Sequence, residues 1–177
     1  MAGQHTLSET ETAVTGRLGD MDLDFEAMSV VSNLFRAANA VRNHLERSVL
    51  SRSDLTWTAF VVLWVTWIWE PIETRQIAAE GGFSKATLSG VMTTLEKRGL
   101  ITRERDSSDG RLVIVSLTPS GRRLMKRLFP QFNEEERRVT MHLGSGEKKE
   151  AAHALREMIR AVERDEPVQR DLRPTRE

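Results

Sequence analysis

Between Leu23 and Leu50 apolar residues recur at Ala27, Val30, Val31, Leu34, Ala38, Val41 and Leu45, the three-and-four spacing of a long helix with one buried face. A second helix follows, with Thr56 as its N-cap and a body to Trp69 that is apolar almost all round; Pro71 ends it. The stretch "IETRQIAAEGGFS" predicts a short helix. In it Gln76 reaches back to the Glu73 amide, Ile72 staples onto Ile77, and Gly81-Gly82 supplies a stop with positive φ available. Ser84 is the cap for "KATLSGVMTTLEKR", whose stripe is Leu88, Val91, Met92 and Leu95 and whose stop is Gly99. Two helices joined by a short glycine turn form a helix-turn-helix candidate.

Beyond Gly99 the period changes. "LITRER" and "RLVIVSL" read as strands on either side of "DSSDG", a hairpin with a polar tip. Thr118-Pro119 gives a cap and a first-turn proline for another helix, Pro130 predicts a kink in it, and helix resumes towards Met141. Glu147 to Arg164 sets Ala151, Leu155, Met158, Ile159 and Val162 on one face of a last helix. The expected fold is mainly α with a small β-hairpin wing, a winged helix-turn-helix domain over residues 55–118. Helices over 23–54 and 119–164 flank it, and flexible tails are expected over 1–22 and 165–177.

Composition narrows the function classes. The chain has no cysteine, which removes disulfides, thiolate chemistry and Cys-ligated zinc. Its four histidines lack metal-ligand spacing, and it holds no Gly-rich phosphate loop, nucleophile elbow or HExxH. No cofactor, no metal and no enzymatic activity are expected. The opening residues lack the cationic start and apolar centre of a signal peptide, and the uncharged run Leu55–Trp69 is short for a bilayer span, so a cytoplasmic protein with no membrane contact is expected.

Net charge is zero, from 26 basic and 26 acidic residues, but the charges are segregated. Met1 to Val30 holds six acids and one base, whereas Ser84 to Arg127 holds ten bases and four acids. A phosphate backbone responds to that local basic field, whatever the total. With the apolar stripe of the helix at Ser84 turned inward, its outward face is Ala86, Ser89, Gly90, Thr93, Thr94 and Lys97, with Ser84, Lys85 and Thr87 at its amino end. A solvated face usually carries several Glu and Lys; small and hydroxylated residues with few acids suit a DNA major groove.

The strings "LTWTAFVVL", "SGVMTTLEKRGLI" and "ITRERDSSDGRLVIVSLTPSG", in that order, resemble the MarR family of transcriptional regulators, and the likeness covers about Leu23 to Arg164. The resemblance implies a homodimer in which the first, fifth and sixth helices form the dimerisation domain and two winged helices bind a palindromic double-stranded DNA operator, typically as a repressor. Ser84 to Arg98 would be the recognition helix. Arg111 would reach the minor groove from the wing, held by Asp109, and Arg103 is a further candidate contact. The family also binds small aromatic or phenolic ligands, which the resemblance places near Trp57, Phe60 and Trp64, with His44 or Arg42 as polar partners. Tryptophans at helical spacing equally fill a core. Glu73 and Gly144 stand where the family usually has a hydroxyl residue. The competing function is a winged-helix protein-interaction module whose basic stripe docks an acidic partner.

Overall fold

The computed structural model describes residues 5–105 and 111–165. Contacts divide the chain into two compact units, Met1–Glu135 and Glu136–Glu177. The first carries helices α1 (Leu7–Leu18), α2 (Phe25–Ser48), α3 (Trp57–Trp69), α4 (Thr74–Gly81) and α5 (Lys85–Lys97), together with strands β1 (Ile72–Glu73), β2 (Ile101–Arg105) and β3 (Val113–Leu117). Helix α6 (Pro119–Val139) begins in this unit, and α7 (Ser145–Asp165) lies in the second.

The helix starts follow the capping chemistry in the sequence. Asp24 accepts from the Ala27 amide, Thr56 from Ala59 and Ser84 from Thr87 at 2.8, 3.2 and 3.1 Å. The Glu73 amide donates to Gln76 Oε1 at 3.1 Å, and Gly82 and Gly99 take φ of 63° and 65° where α4 and α5 stop. Pro119 opens α6, and Thr118 Oγ1 accepts from the Gly121 amide.

Two features depart from expectation. The segment 1–22, expected as a flexible tail, contains α1, because Thr6 and Glu9 form a reciprocal capping box that satisfies two otherwise open amides. The hairpin is part of a three-stranded antiparallel sheet in the order β1-β3-β2, since Ile72 and Glu73 pair with Val115 and Ile114. Helix α6 holds Pro130 within it, with helix on the far side to Val139 as expected. The expected tail over 165–177 lies outside the described residues, apart from Asp165 at the end of α7.

One core holds the first unit together. Leu45 of α2, with Val49 and Leu50 just past its end, meets Phe60, Val62 and Leu63 of α3, Ile77 of α4, Leu88, Met92 and Leu95 of α5, and Leu124, Met125, Leu128 and Phe132 of α6. The near-absence of polar positions on α3 follows from its place at the centre, with α4, α5 and β3 all packed on it. Its one buried polar group, the Thr66 hydroxyl, is satisfied by the Val62 carbonyl. Glu70, just past α3, accepts from the Leu117 amide at 2.7 Å and pairs with Arg122, tying α3 to β3 and α6. Among the described residues no helix is long and apolar enough to cross a membrane.

Candidate nucleic-acid interface

Helix α5 is amphipathic in the expected sense. Leu88, Met92 and Leu95 are buried, whereas Ser84, Lys85, Ala86, Thr87, Ser89, Gly90, Thr94 and Lys97 are exposed and Thr93 is half-buried. Its hydroxyls are partly committed. Ser84 and Thr87 hydroxyls share a 2.9 Å hydrogen bond at the helix start, and Thr93 and Thr94 donate to the carbonyls of Ser89 and Gly90 at 3.0 and 3.1 Å. A hydroxyl that donates inward keeps its oxygen lone pairs for the amino groups that bases present in a groove. A Cβ built on Gly90 meets nothing within 4 Å among the described residues, so no contact among them calls for glycine there.

Beside the start of α5 lies a groove of about 510 Å³ lined by Glu73, Thr74, Arg75, Ala78, Lys85, Leu88, Arg111, Leu112 and Val113. It brings Lys85 and Arg111, distant in sequence, to one surface. It also adds Arg75, absent from the sequence-based candidates, whose Nε donates to Glu73 Oε2. The tripeptide Glu73-Thr74-Arg75 gave no signal for this, because only the pairing of β1 with β3 carries the start of α4 next to the wing. Asp109 lies outside the described residues, and so does its pairing with Arg111.

Arg103 sits differently from the other candidates. Its guanidinium donates to Glu96 Oε2 through Nε at 3.0 Å and again through Nη2, joining β2 to the last turn of α5. That hydrogen bond holds the Glu96 carboxyl below the usual carboxylate range, since it favours the ionised form. Arg103 is thus occupied within the fold, and its side chain is only 27% exposed.

The candidate ligand residues form an aromatic stack against α6. Phe60 stacks on Phe132 with centroids 4.3 Å apart, Trp64 on Phe129 at 4.5 Å, and Trp57 lies 6.1 Å from Phe60. The structure therefore brings Trp57, Phe60 and Trp64 together, but the rings they face belong to α6. His44 Nε2 lies 2.6 Å from Glu135 Oε2, on the same helix as those rings, and Arg42 donates to Asn39 on its own helix.

A family model described as MarR family matches residues 55–113, the stretch from the start of α3 to the start of β3. The HTH-type transcriptional regulator YwaE of Bacillus subtilis, itself uncharacterized, is 40% identical over 136 residues, covering 77% of this chain and 80% of that protein. Among solved structures, Bordetella bronchiseptica BpsR, studied for regulation of its DNA binding by 6-hydroxynicotinic acid, superposes with a TM-score of 0.65 at 29% identity, over 72% of this chain and 97% of that one. Staphylococcus aureus MepR in complex with DNA gives a TM-score of 0.67 at 24% identity, over 73% and 96% of the two chains, a likeness of fold.

Proposed function

The chain belongs to the MarR family of DNA-binding transcriptional regulators, and from that premise we propose that it acts as a cytoplasmic homodimeric repressor of a palindromic operator. The observation that carries this reading is the exposed, acid-free face of α5 from Ser84 to Thr94, flanked by the groove in which Arg75, Lys85 and Arg111 converge. In the proposed complex α5 lies in the major groove. Ser89, Thr93 and Thr94 meet base edges, Ala86 and Gly90 allow close approach, and Lys85, Lys97 and Arg75 meet phosphates. Arg111 reaches the adjacent minor groove, where the negative potential is greatest when the groove is narrow.

Dimerisation gives the long helices their purpose. Val30, Val31 and Phe35 of α2 are exposed, as are Leu155, Ile159 and Val162 of α7, and a second copy of the chain is the partner that would cover such stripes. Two recognition helices related by a two-fold axis then read two half-sites. A small aromatic ligand is the proposed effector, supported by BpsR, whose DNA binding is regulated by 6-hydroxynicotinic acid. Here such a ligand would have to displace Phe129 or Phe132 from the stack with Trp57, Phe60 and Trp64.

Two substitutions test the contact assignments on an operator selected with the wild-type protein. Arg111→Ala is expected to weaken binding while leaving the dimer and its Tm unchanged, and equal affinity would remove the wing from the interface. Thr93→Ala is expected to change the ranking of operator variants. A uniform loss over all sequences would make Thr93 a positioning contact rather than a reader of bases.

A further inference from the structure

Arg98 is the exposed C-cap of α5, and its guanidinium reaches across to the segment that follows α2. Its two terminal nitrogens donate to successive carbonyls, Nη1 to Asp54 at 2.6 Å and Nη2 to Ser53 at 2.8 Å. Those carbonyls belong to the 3-10 turn Leu50–Ser53 that continues from the end of α2, and to Asp54, which closes the turn in the left-handed region at φ 50°. The turn itself is firmly seated, because Val49, Leu50 and Leu55 are all buried in the core. Carbonyls at the end of a helical turn are left without intrahelical donors and carry partial negative charge, so a cation fits them.

We propose that Arg98 is a positioning residue: by forking across Ser53 and Asp54 it fixes α5 to the end of α2, and so sets the spacing between the two recognition helices of the dimer. This rests on the reading of a dimer formed through α2 on a palindromic operator. Two half-sites lie about one helical turn, roughly 34 Å, apart, and a dimer tolerates little error in that distance. What transmits the distance from α2 to α5 is whatever ties them together. A planar guanidinium bonded to two adjacent carbonyls fixes both a separation and a plane, whereas an ammonium is a single point that fixes neither. The Arg103–Glu96 pair extends the same chain of ties from α5 to β2.

The test uses the full-length protein, with Arg98→Lys and Arg98→Gln, on a selected operator and on the same half-sites respaced by one and two base pairs, across a salt series. Both variants are expected to bind the native spacing about tenfold more weakly, the loss of a charge-assisted fork, and to discriminate less between spacings. Their dependence of log affinity on log salt should match the wild type, because no phosphate contact is removed. R98K binding like wild type while R98Q lowers the salt slope would mark Arg98 as a phosphate contact and overturn the proposal. Equal losses at every spacing, accompanied by a matching fall in Tm, would make the fork a purely structural tie and overturn it as well. A wild-type protein that binds no duplex would remove the underlying reading, and this proposal with it.

Discussion

Gly90 separates the needs of the fold from those of the interface. It lies mid-way along α5, where glycine costs about 0.8–1.0 kcal/mol relative to alanine because it loses more backbone freedom on folding. A methyl group there would meet nothing within 4 Å among the described residues, and the Gly90 carbonyl that accepts from Thr94 is unaffected by it. Gly90→Ala should therefore stabilise the free protein by about 1 kcal/mol, a rise in Tm of roughly 2–4 °C by differential scanning fluorimetry. In the complex the same methyl enters a surface packed against DNA. Overpacking by a methyl in a close-packed environment costs about 1–3 kcal/mol, or roughly five- to 150-fold in Kd by fluorescence anisotropy. A more stable protein that binds its operator less well is the expected outcome. Unchanged or tighter binding would mean that this face of α5 does not approach DNA closely, and a lower Tm would mean that Gly90 serves the fold after all.

Gly121→Ala should do the opposite and damage the fold, because a Cβ there would clash with the Leu100 carbonyl oxygen, which is itself held by the Thr118 amide. Backbone faces backbone at that point, so a loss of about 3 kcal/mol in unfolding free energy is expected from urea titration, and a loss under 1 kcal/mol would contradict the close approach. Phe35→Glu, at a side chain 66% exposed on α2, should convert a dimer to monomer in light scattering; an unchanged mass would place the interface elsewhere. The Glu96 carboxyl, lowered from an ordinary value of 4.5 by Arg103, contributes stability that is fully present above that value and fades as pH falls through the lowered one. Glu96→Gln should accordingly flatten the acid limb of a Tm-against-pH profile, and identical acid limbs would show the pair to be without effect.

Much of the fold was legible because its signals are local. Ser84, Thr56 and Gly99 mark helix ends by chemistry that depends on a few neighbouring residues, and the stripe Leu88, Met92, Leu95 orients α5 without reference to the rest of the chain. Strand β1 was not legible. Two residues carry no periodicity, and Ile72 becomes a strand only because Val115 offers it a partner 43 positions away. Helix α1 was missed for another reason: its Thr/Ser/Glu-rich composition hides the Thr6–Glu9 capping box that starts it.

The candidate site divides along the same line. The outward face of α5 could be drawn from helical geometry alone, and its positions are exposed except for Thr93, which is half-buried. The roles of arginines could not be drawn, since each depends on what the fold sets beside the guanidinium. Arg103 meets Glu96, Arg98 meets the carbonyls of Ser53 and Asp54, and Arg75 joins Lys85 and Arg111 in a groove closed by the sheet. Likewise the spacing of Trp57, Phe60 and Trp64 showed that they share a helix, but not that Phe129 and Phe132 of α6 would fill the space before them.

The measurement that bears most directly on the central claim is fluorescence anisotropy of the wild-type protein with random-sequence and selected palindromic duplexes, from low to physiological salt. A sequence-specific regulator should prefer selected sites by about 1000-fold or more and lose affinity steeply with salt, as several condensed counterions are released per dimer. Binding that ignores salt, or equal affinity for random and selected duplexes, would contradict the assignment of α5 as a reader of DNA sequence.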